Sequence, residues 1–538
     1  MKKFIAGLSF ILFSVYAFCQ ESQETVQNAE LNANENQKQI NLEKAVNLAI
    51  TNNYDLRIQR QAVYEAKARL QKYKGATDVA VGADGSWGLS QDPVDSDDRT
   101  RYVYGWSWIY NDSYDPYGVR TENTTTQKAS ASVFAEKLFT FGLQTKLSYT
   151  IQRQDSDTDY TFTSGSSVTS RDSDGKARNY GTLSLELSLP LFKSFGNSLT
   201  ALQIDAAEDY LAQMEYELDN STSKVTVQTV NSFLNYFLAY QRFEELQELQ
   251  ETIEERNKNM VQLINAGVRS RNDQLSVQVS VQENRRDLKS AEIQLRQAKM
   301  NLLQILGLSD ENEIGIPENI FTSLDVKSIQ IPSAEQIDRN YLEQVLQVKP
   351  EILALQKNVN QAEKNLKMTK ISVKPDANLN LGIGMTGTRY SDSFGDFLIS
   401  GFQNVKGANV SASVGVKAFI NSNTNKGKIA ESEAELEKTK LQYEKSSSEL
   451  LLSVKNSVQE MNIHRQNIQE ADEIFSLQKQ LYENEKKRFN AGLITTDSLR
   501  EQDQRFLNAQ YTYYKVLSDY LNSVVQFKYY TATLTELK

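Results

Sequence analysis

One histidine, His464, and one cysteine, Cys19, are all that this chain of 538 residues has of either type. Histidine-based zinc sites and Ser-His-Asp triads therefore have almost no raw material, and a disulfide framework has none. Basic charge is also short. The 59 Lys and Arg face 69 Asp and Glu, a net of −10, leaving no surplus to neutralise nucleic-acid phosphates. After the first residues, no apolar run approaches the roughly 18 residues that suggest a spanning helix. If the chain enters a bilayer it must do so as strands. "KSFGNS", just after Pro190, lacks the spacing of a phosphate loop, and no glycine-flanked nucleophile occurs. These absences lead us to expect a protein that is not an enzyme and carries no metal or other cofactor.

Proline and glycine are missing from two long stretches. No proline lies between Lys193 and Ile316, and none follows Pro375. Gly267 is the only glycine between Asn197 and Leu306, and Gly492 the only one after Lys428. Both residue types are costly inside a helix, so each stretch reads as a helical hairpin broken only at its Asn-Ala-Gly. There the glycine takes the left-handed conformation that ends a helix. The first hairpin pairs a long helix over 198–265 with a shorter one over 270–306. The second pairs 426–489 with 494–530. At 1.5 Å per residue the long arms reach about 100 Å. Glu, Gln, Leu and Lys dominate them, with apolar residues at helical spacing, as in "FEELQELQETIEERNKNMVQLI". Such helices have no globule to bury them, so their apolar stripes must meet other long helices.

The chain starts "MKKFIAGLSFILFSVYAFCQ", two lysines and a short apolar run, which reads as an export signal over 1–19. Cleavage after Cys19 would make Gln20 the first mature residue; lipidation would instead keep Cys19. Bulky Phe18 stands where a lipoprotein signal wants a small residue and favours simple cleavage. Residues 20–39 are rich in Asn and Gln and read as disordered.

The hairpins belong to a larger repeat. Asp55, Leu56, Ala66 and Leu70 align with Glu351, Ile352, Ala362 and Leu366 at an offset of 296, whereas Gly267 and Gly492 are offset by 225. One unit, helix, strands, long helix, shorter helix, is thus used twice, over 40–310 and 334–530. A linker over 311–333 separates the copies, a tail over 531–538 follows, and the second copy begins with a helix over 334–371. The first copy carries 71 extra residues, the difference of the two offsets, within its strand zone of about 76–193. The second strand zone is 376–420.

In these zones the composition alternates. Leu183, Leu185, Leu187 and Leu189 alternate with Ser184, Glu186 and Ser188, and "DANLNLGIGMTG" and "ANVSASVGVKAFI" behave alike. The pattern suits a transmembrane barrel or a soluble sheet with one wet face. Trp87, Trp106 and Trp108 all fall in the first zone, as membrane-interface aromatics do. A sheet in lipid cannot keep open edges, so strands of several chains must close together. If the 71 residues are outer loop, each chain supplies four strands. If "ASASVFAEKLFTFGLQTKLSYTIQ" adds a hairpin turning near Thr140, it supplies six. Four is the expectation, because the second copy has only two.

"NLEKAVNLAITNNYDL", "LSLPLFKSFG", the two Asn-Ala-Gly turns and "RFNAGLITTDSLREQDQRFLNAQYTYYKVLSDYLNSVVQF" together resemble the outer membrane efflux protein family, the trimeric channel-tunnels of Gram-negative bacteria. The resemblance spans roughly 41–530. It implies a mixed α/β membrane protein in which a homotrimer closes a 12-stranded β-barrel in outer membrane lipid, continued by a coiled helical tube in the periplasm. It implies export of small molecules, drugs or proteins with a periplasmic adaptor and an inner-membrane RND pump or ABC transporter. Carried over by motif, Ala266, Gly267, Val268, Ala491, Gly492 and Leu493 are the hairpin tips that meet the adaptor. Asp273 and Glu501 match acidic positions that narrow the mouth in some members, so they are candidates for a periplasmic gate. Ser498 stands where the second copy would carry its counterpart of Asp273, and Asp497, one residue earlier, is the third candidate. The competing reading is a secreted coiled-coil protein that tethers layers of the cell envelope. It accounts for the helices and the signal but not for the alternating segments at matched positions.

Overall fold

The computed structural model describes residues 39–93, 119–164, 167–174, 177–194, 199–267, 269–309, 314–322, 337–405, 407–419 and 422–534. The expected signal at 1–19, the disordered segment as far as residue 38, Trp106, Trp108 and Val268 lie outside the described residues.

Helices α1 (Leu42–Asn52) and α2 (Tyr54–Gly75) precede the strands of the large sheet. After the strands come α3 (Leu199–Asn265) and α4 (Arg271–Leu306), of 67 and 36 residues. The second half contains α5 (Arg339–Val348), α6 (Pro350–Ser372), α7 (Asn423–Asn490) and α8 (Thr496–Tyr530); the last two have 68 and 35 residues. Residues 339–372 thus form two helices where a single helix over 334–371 was expected. Pro350 is the reason: it starts α6 well but pushes the residue before it out of the helical region, and Lys349 sits at ψ 117°. Asn53, 296 positions earlier, separates α1 from α2 at ψ 128°.

Both breaks serve the ends of other helices, whose last carbonyls have no donor of their own. The Asn53 amide donates to the Ile305 carbonyl at 2.8 Å, at the end of α4. The Lys349 ammonium donates to the Tyr529 carbonyl at 2.6 Å, at the end of α8, and lies 3.3 Å from the centre of the Tyr529 ring. Lys349 is 1% exposed, and its burial pushes its pKa down to about 8 while neighbouring Glu351 works against the shift.

The described residues form two compact units. One draws on Met1–Gln61, Tyr216–Leu353 and Ser446–Lys538, the other on Ala62–Glu215 and Ala354–Lys445. In the first, Ala45, Phe233, Leu234, Leu302, Leu306, Leu521 and Val525 make one buried cluster from α1, α3, α4 and α8. A second cluster collects Leu246, Leu249, Ile253 and Met260, spaced three, four and seven along α3, with Val277, Leu499 and Leu507. In the same unit β1 (Gln39–Ile40) pairs in parallel with β7 (Ile316–Pro317).

The other unit holds the sheet: β2 (Val79–Pro93), β3 (Val119–Leu138), β4 (Gln144–Ser164), β5 (Ser167–Asp174), β6 (Arg178–Pro190), β8 (Asp376–Tyr390) and β9 (Asn409–Lys417). Their order is β2-β3-β4-β6-β8-β9, with β5 paired to β4, and every pair is antiparallel. Where four strands per chain were expected, six lie on the path of the sheet among the described residues, and the β3–β4 hairpin falls within the extra residues of the first half. Its turn is closed by Phe139 N–H to the Leu143 carbonyl and Gly142 N–H to the Phe139 carbonyl, both at 2.8 Å. As strands, these residues pair backbone groups that a loop would leave to water.

Two glycines of the helical region separate two costs of a side chain. Gly267 and Gly307 both have positive φ, 73° and 68°, but a Cβ at Gly267 meets open space whereas one at Gly307 would overlap the Asn52 carbonyl. Gly267→Ala is expected to cost about 1 kcal/mol, the left-handed penalty alone. Gly307→Ala is expected to cost clearly more, because α1 and α4 must also separate. Denaturant midpoints of the two purified variants would check this; equal losses would refute the contact argument.

Candidate functional site

Register decides what each face of the sheet presents, since paired residues share a face. One face carries Val79, Val81 and Ala83 on β2, Ala131, Val133 and Ala135 on β3, and Leu147, Tyr149 and Ile151 on β4. It continues through Leu183, Leu185 and Leu187 on β6, Leu381, Ile383 and Met385 on β8, and Val410, Ala412 and Val414 on β9. Most of the large side chains among these are exposed. Along β8 the apolar band runs from Ala377 to Gly387, about 33 Å of strand at ~3.3 Å per residue. At a tilt near 40° that is about 25 Å across a bilayer, the height of the apolar band of a membrane barrel.

The opposite face is polar. Ser86 and Ser130 lie 2.7 Å apart, Ser148 and Ser184 also 2.7 Å, Thr182 and Thr386 3.1 Å, and Ser188 donates to Asn380 at 2.7 Å. A shallow hollow opens on this face, lined in part by Gln144, Lys146, Glu186, Asn380 and Ser413. Trp87 pairs with Ala129 on the apolar face, level with Arg153, Asn179 and Arg389, and is exposed. Phe141, Phe192 and Phe419 are exposed at the other end, in the β3–β4 turn, just after β6 and just after β9. Sequence reading singled out the tryptophans and passed over these phenylalanines, although "FTF" beside a glycine marked the turn.

The hairpin tips lie in the other unit. The α3 tip is closed by Ala266 N–H to the Gln262 carbonyl and Gly267 N–H to the Ile264 carbonyl. The α7 tip is closed by Ala491 N–H to the Lys487 carbonyl, Gly492 N–H to the Phe489 carbonyl and Leu493 N–H to the Arg488 carbonyl. Gly492 has φ 76°, like Gly267. Ala266, Gly267, Ala491 and Gly492 are exposed, and Leu493 is 69% exposed. Arg269 joins the tips: its guanidinium lies over the Phe489 ring at 5.3 Å and donates to the Phe489 carbonyl at 3.4 Å.

Each of the three candidate gate residues has a partner in its own chain. Asp273 accepts from the Ser270 amide at 3.1 Å and its hydroxyl at 2.9 Å, closing a capping box at the start of α4. Ser498 occupies the same third position after the cap Thr495 in α8, where its amide donates to the Thr495 hydroxyl. Asp497 lies 3.9 Å from Arg500, which also holds Glu283 at 3.2 Å, and Glu501 accepts from Arg505 at 2.6 Å. Sequence reasoning missed the buried pair close by. Arg256 grips Asp503 at 2.9 and 3.5 Å, with side chains 10% and 2% exposed, and lies 5.6 Å over the Phe489 ring. Desolvation raises the Asp503 pKa, and Arg256 works against the rise. The available signal was the spacing of Leu499, Asp503 and Phe506, which puts an acid on the apolar stripe of α8. Among the described residues no cluster of His, Cys, Asp or Glu could hold a metal, and no helix is long and apolar enough to cross a membrane.

Residues 341–532 match the family described as outer membrane efflux protein. No curated protein sequence matches the chain significantly. Three solved structures share its fold. CusC, in a study of folding and transmembrane channel formation, is 13% identical with TM-score 0.62, the match covering 93% of this chain and 95% of that one. The CmeC outer membrane channel of Campylobacter jejuni is 14% identical, TM-score 0.60, over 92% and 86%. The open MtrE outer membrane channel of Neisseria gonorrhoeae is 11% identical, TM-score 0.60, over 92% and 89%. At such identities the likeness is one of fold, a mixed α/β architecture of strands and long helices.

Arg256→Met alone strands the Asp503 carboxylate in a dry helix interface, and breaking such pairs costs about 3–5 kcal/mol. Arg256→Met with Asp503→Leu should recover most of that loss, because two apolar groups of similar size replace the pair. Urea midpoints for the single and double variants would measure it; a double variant no better than the single would show that the pair is not an isolated unit.

Proposed function

We propose that this chain, whose residues 341–532 match the outer membrane efflux protein family, is one subunit of an outer membrane channel-tunnel that moves small molecules, drugs or proteins out of the periplasm. It works with a periplasmic adaptor and an inner-membrane RND or ABC transporter. The observation that carries the reading is the two-faced sheet. Its apolar band has the height of a bilayer and its other face is polar, as a wall between lipid and a water-filled lumen requires. Among the described residues β2 and β9 are each paired on one side only, and open edges have no place in hydrocarbon. Copies of the chain therefore close the wall. In a homotrimer, the assembly of the family it resembles, six strands per chain make an 18-stranded barrel rather than 12.

The helical hairpins are the periplasmic tube, and the tips Ala266, Gly267, Val268, Ala491, Gly492 and Leu493 are its adaptor contact. An exposed leucine on a turn favours this, since a purely structural turn would prefer a polar group there. Asp273, Asp497 and Glu501 are the gate candidates. Their pairing within the chain does not remove their charge, so a ring of them around a three-fold axis would still attract cations. The tethering reading leaves the exposed apolar face without an occupant.

Cell fractionation and native mass measurement should find the protein in the outer membrane at three chains; a soluble dimer would end the proposal. Val268→Glu with Leu493→Glu should leave the trimer intact and lower export at least about tenfold, because burying two unpaired carboxylates costs several kcal/mol. Undiminished export at normal abundance would remove the tips from the interface. Asp273→Asn with Glu501→Gln, which keeps the cap acceptor, should weaken cation preference in planar-bilayer recordings, and Asp497→Asn is the comparison. Unchanged selectivity in both variants would take these carboxylates out of the pore.

A further inference from the structure

The connection between β8 and β9 sits at the end of the sheet away from α6 and α7, and it does not stay a turn. Residues 391–405 fold back over the apolar face as a short helix, Phe394–Ile399, followed by a single turn over Ser400–Phe402. Glycines permit this. Gly181 on β6 and Gly387 on β8 are paired at positions where the alternation otherwise puts large apolar residues. A Cβ at Gly181 would overlap the backbone of Gly401, and one at Gly387 would overlap the carbonyls of Ser400 and Gln403. Backbone packs directly on backbone.

Polar contacts then fasten the segment to that face. The Tyr149 hydroxyl donates to the Leu398 carbonyl at 3.1 Å, Arg153 to the Asp392 carbonyl at 3.2 Å, and Asn179 to the Ser391 carbonyl at 2.6 Å. Arg389 pairs with Asp396 at 3.2 Å. With its polar groups turned to the sheet, the segment presents apolar groups outward. Phe394 and Phe402 are 71% and 72% exposed, and Leu398 and Ile399 about half exposed. This is the reverse of a loop built to face water. The segment covers the level of Ile151, Gly181 and Gly387, the last step of the apolar band before Arg153, Asn179 and Arg389.

We propose that Phe394, Leu398, Ile399 and Phe402 form an interfacial anchor that inserts into the acyl–glycerol zone of the lipid leaflet at the outer end of the barrel. The inference rests on the reading that the apolar face meets lipid. Its occupant follows from continuity: the anchor is mounted on that face, at its margin, and extends the same apolar surface sideways. Aromatic and aliphatic side chains there, with Arg153 and Arg389 at the next level, match the gradient from acyl chains to headgroups.

Tryptophan placement in the trimer tests it. Trp87, Trp106 and Trp108 are replaced by Phe, and Phe394→Trp, Leu398→Trp and Phe402→Trp are each made in that background. The proteins are reconstituted in phosphatidylcholine brominated at shallow or deep acyl positions. Fluorescence of the three variants should fall at least about twofold with shallow bromine and less with deep bromine. Val410→Trp, at mid-band, should respond more to deep bromine, and Ser413→Trp, on the polar face, to neither. If Val410→Trp is quenched while all three anchor variants are not, the segment faces water or a neighbouring copy, and the inference is overturned while the barrel survives. If Val410→Trp is also unquenched, the barrel reading falls and the anchor falls with it. The three anchor positions are independent, so one variant that fails to assemble leaves two to decide.

Discussion

A backbone that enters hydrocarbon must satisfy each N–H and C=O within the protein, and under the proposed function the arrangement of the strands answers this constraint. It would account for the pairing of β3 and β4 and for the one apolar face shared by strands from β2 to β9. On the same reading a single chain would not be the finished object. Among the described residues the path of six strands has two open edges, and closure by other copies would remove the edges and enclose the polar face at once.

The helical part obeys a different constraint. The 67-residue helix has no glycine or proline and the 68-residue helix has only Gly427, in its first turns, before each tip glycine supplies the positive φ that reverses the chain. Where helix ends meet inside the structure, buried donors cap them: Asn53 serves α4 and Lys349 serves α8. The equivalent positions carry different residues with the same task. A cation at a helix C-terminus is favoured by the helix dipole, and a neutral amide satisfies the same carbonyl without the cost of burying charge.

Near the tips, charge is mostly spent locally. Asp273 completes a cap, Glu501 holds Arg505, and Arg500 lies between Glu283 and Asp497. Arg256–Asp503 is the exception in being dry, and with Arg269 it brackets Phe489 beneath the turn. The exposed Leu493 thus stands on a firm base, which would limit the entropy lost in the adaptor contact proposed above.

Local composition was enough to determine the helical hairpins, the positions of Gly267 and Gly492 at their turns, and the alternating strands, because helix cost and side-chain period act over a few residues. The same offset of 296 relates Lys349 to Asn53. Strand number was not legible: the alternation of β3 and β4 is visible, but only pairing with β2 and β6 distinguishes a strand of the sheet from a loop. Nor was the Arg256–Asp503 pair, 247 residues apart in sequence. The fold-back of residues 391–405 was hidden for the same reason. Its glycines Gly181 and Gly387 lie 206 positions apart and look like gaps in alternation until register sets them side by side. Period and propensity are properties of neighbours in the chain, whereas register, burial and ion pairing are decided by neighbours in space.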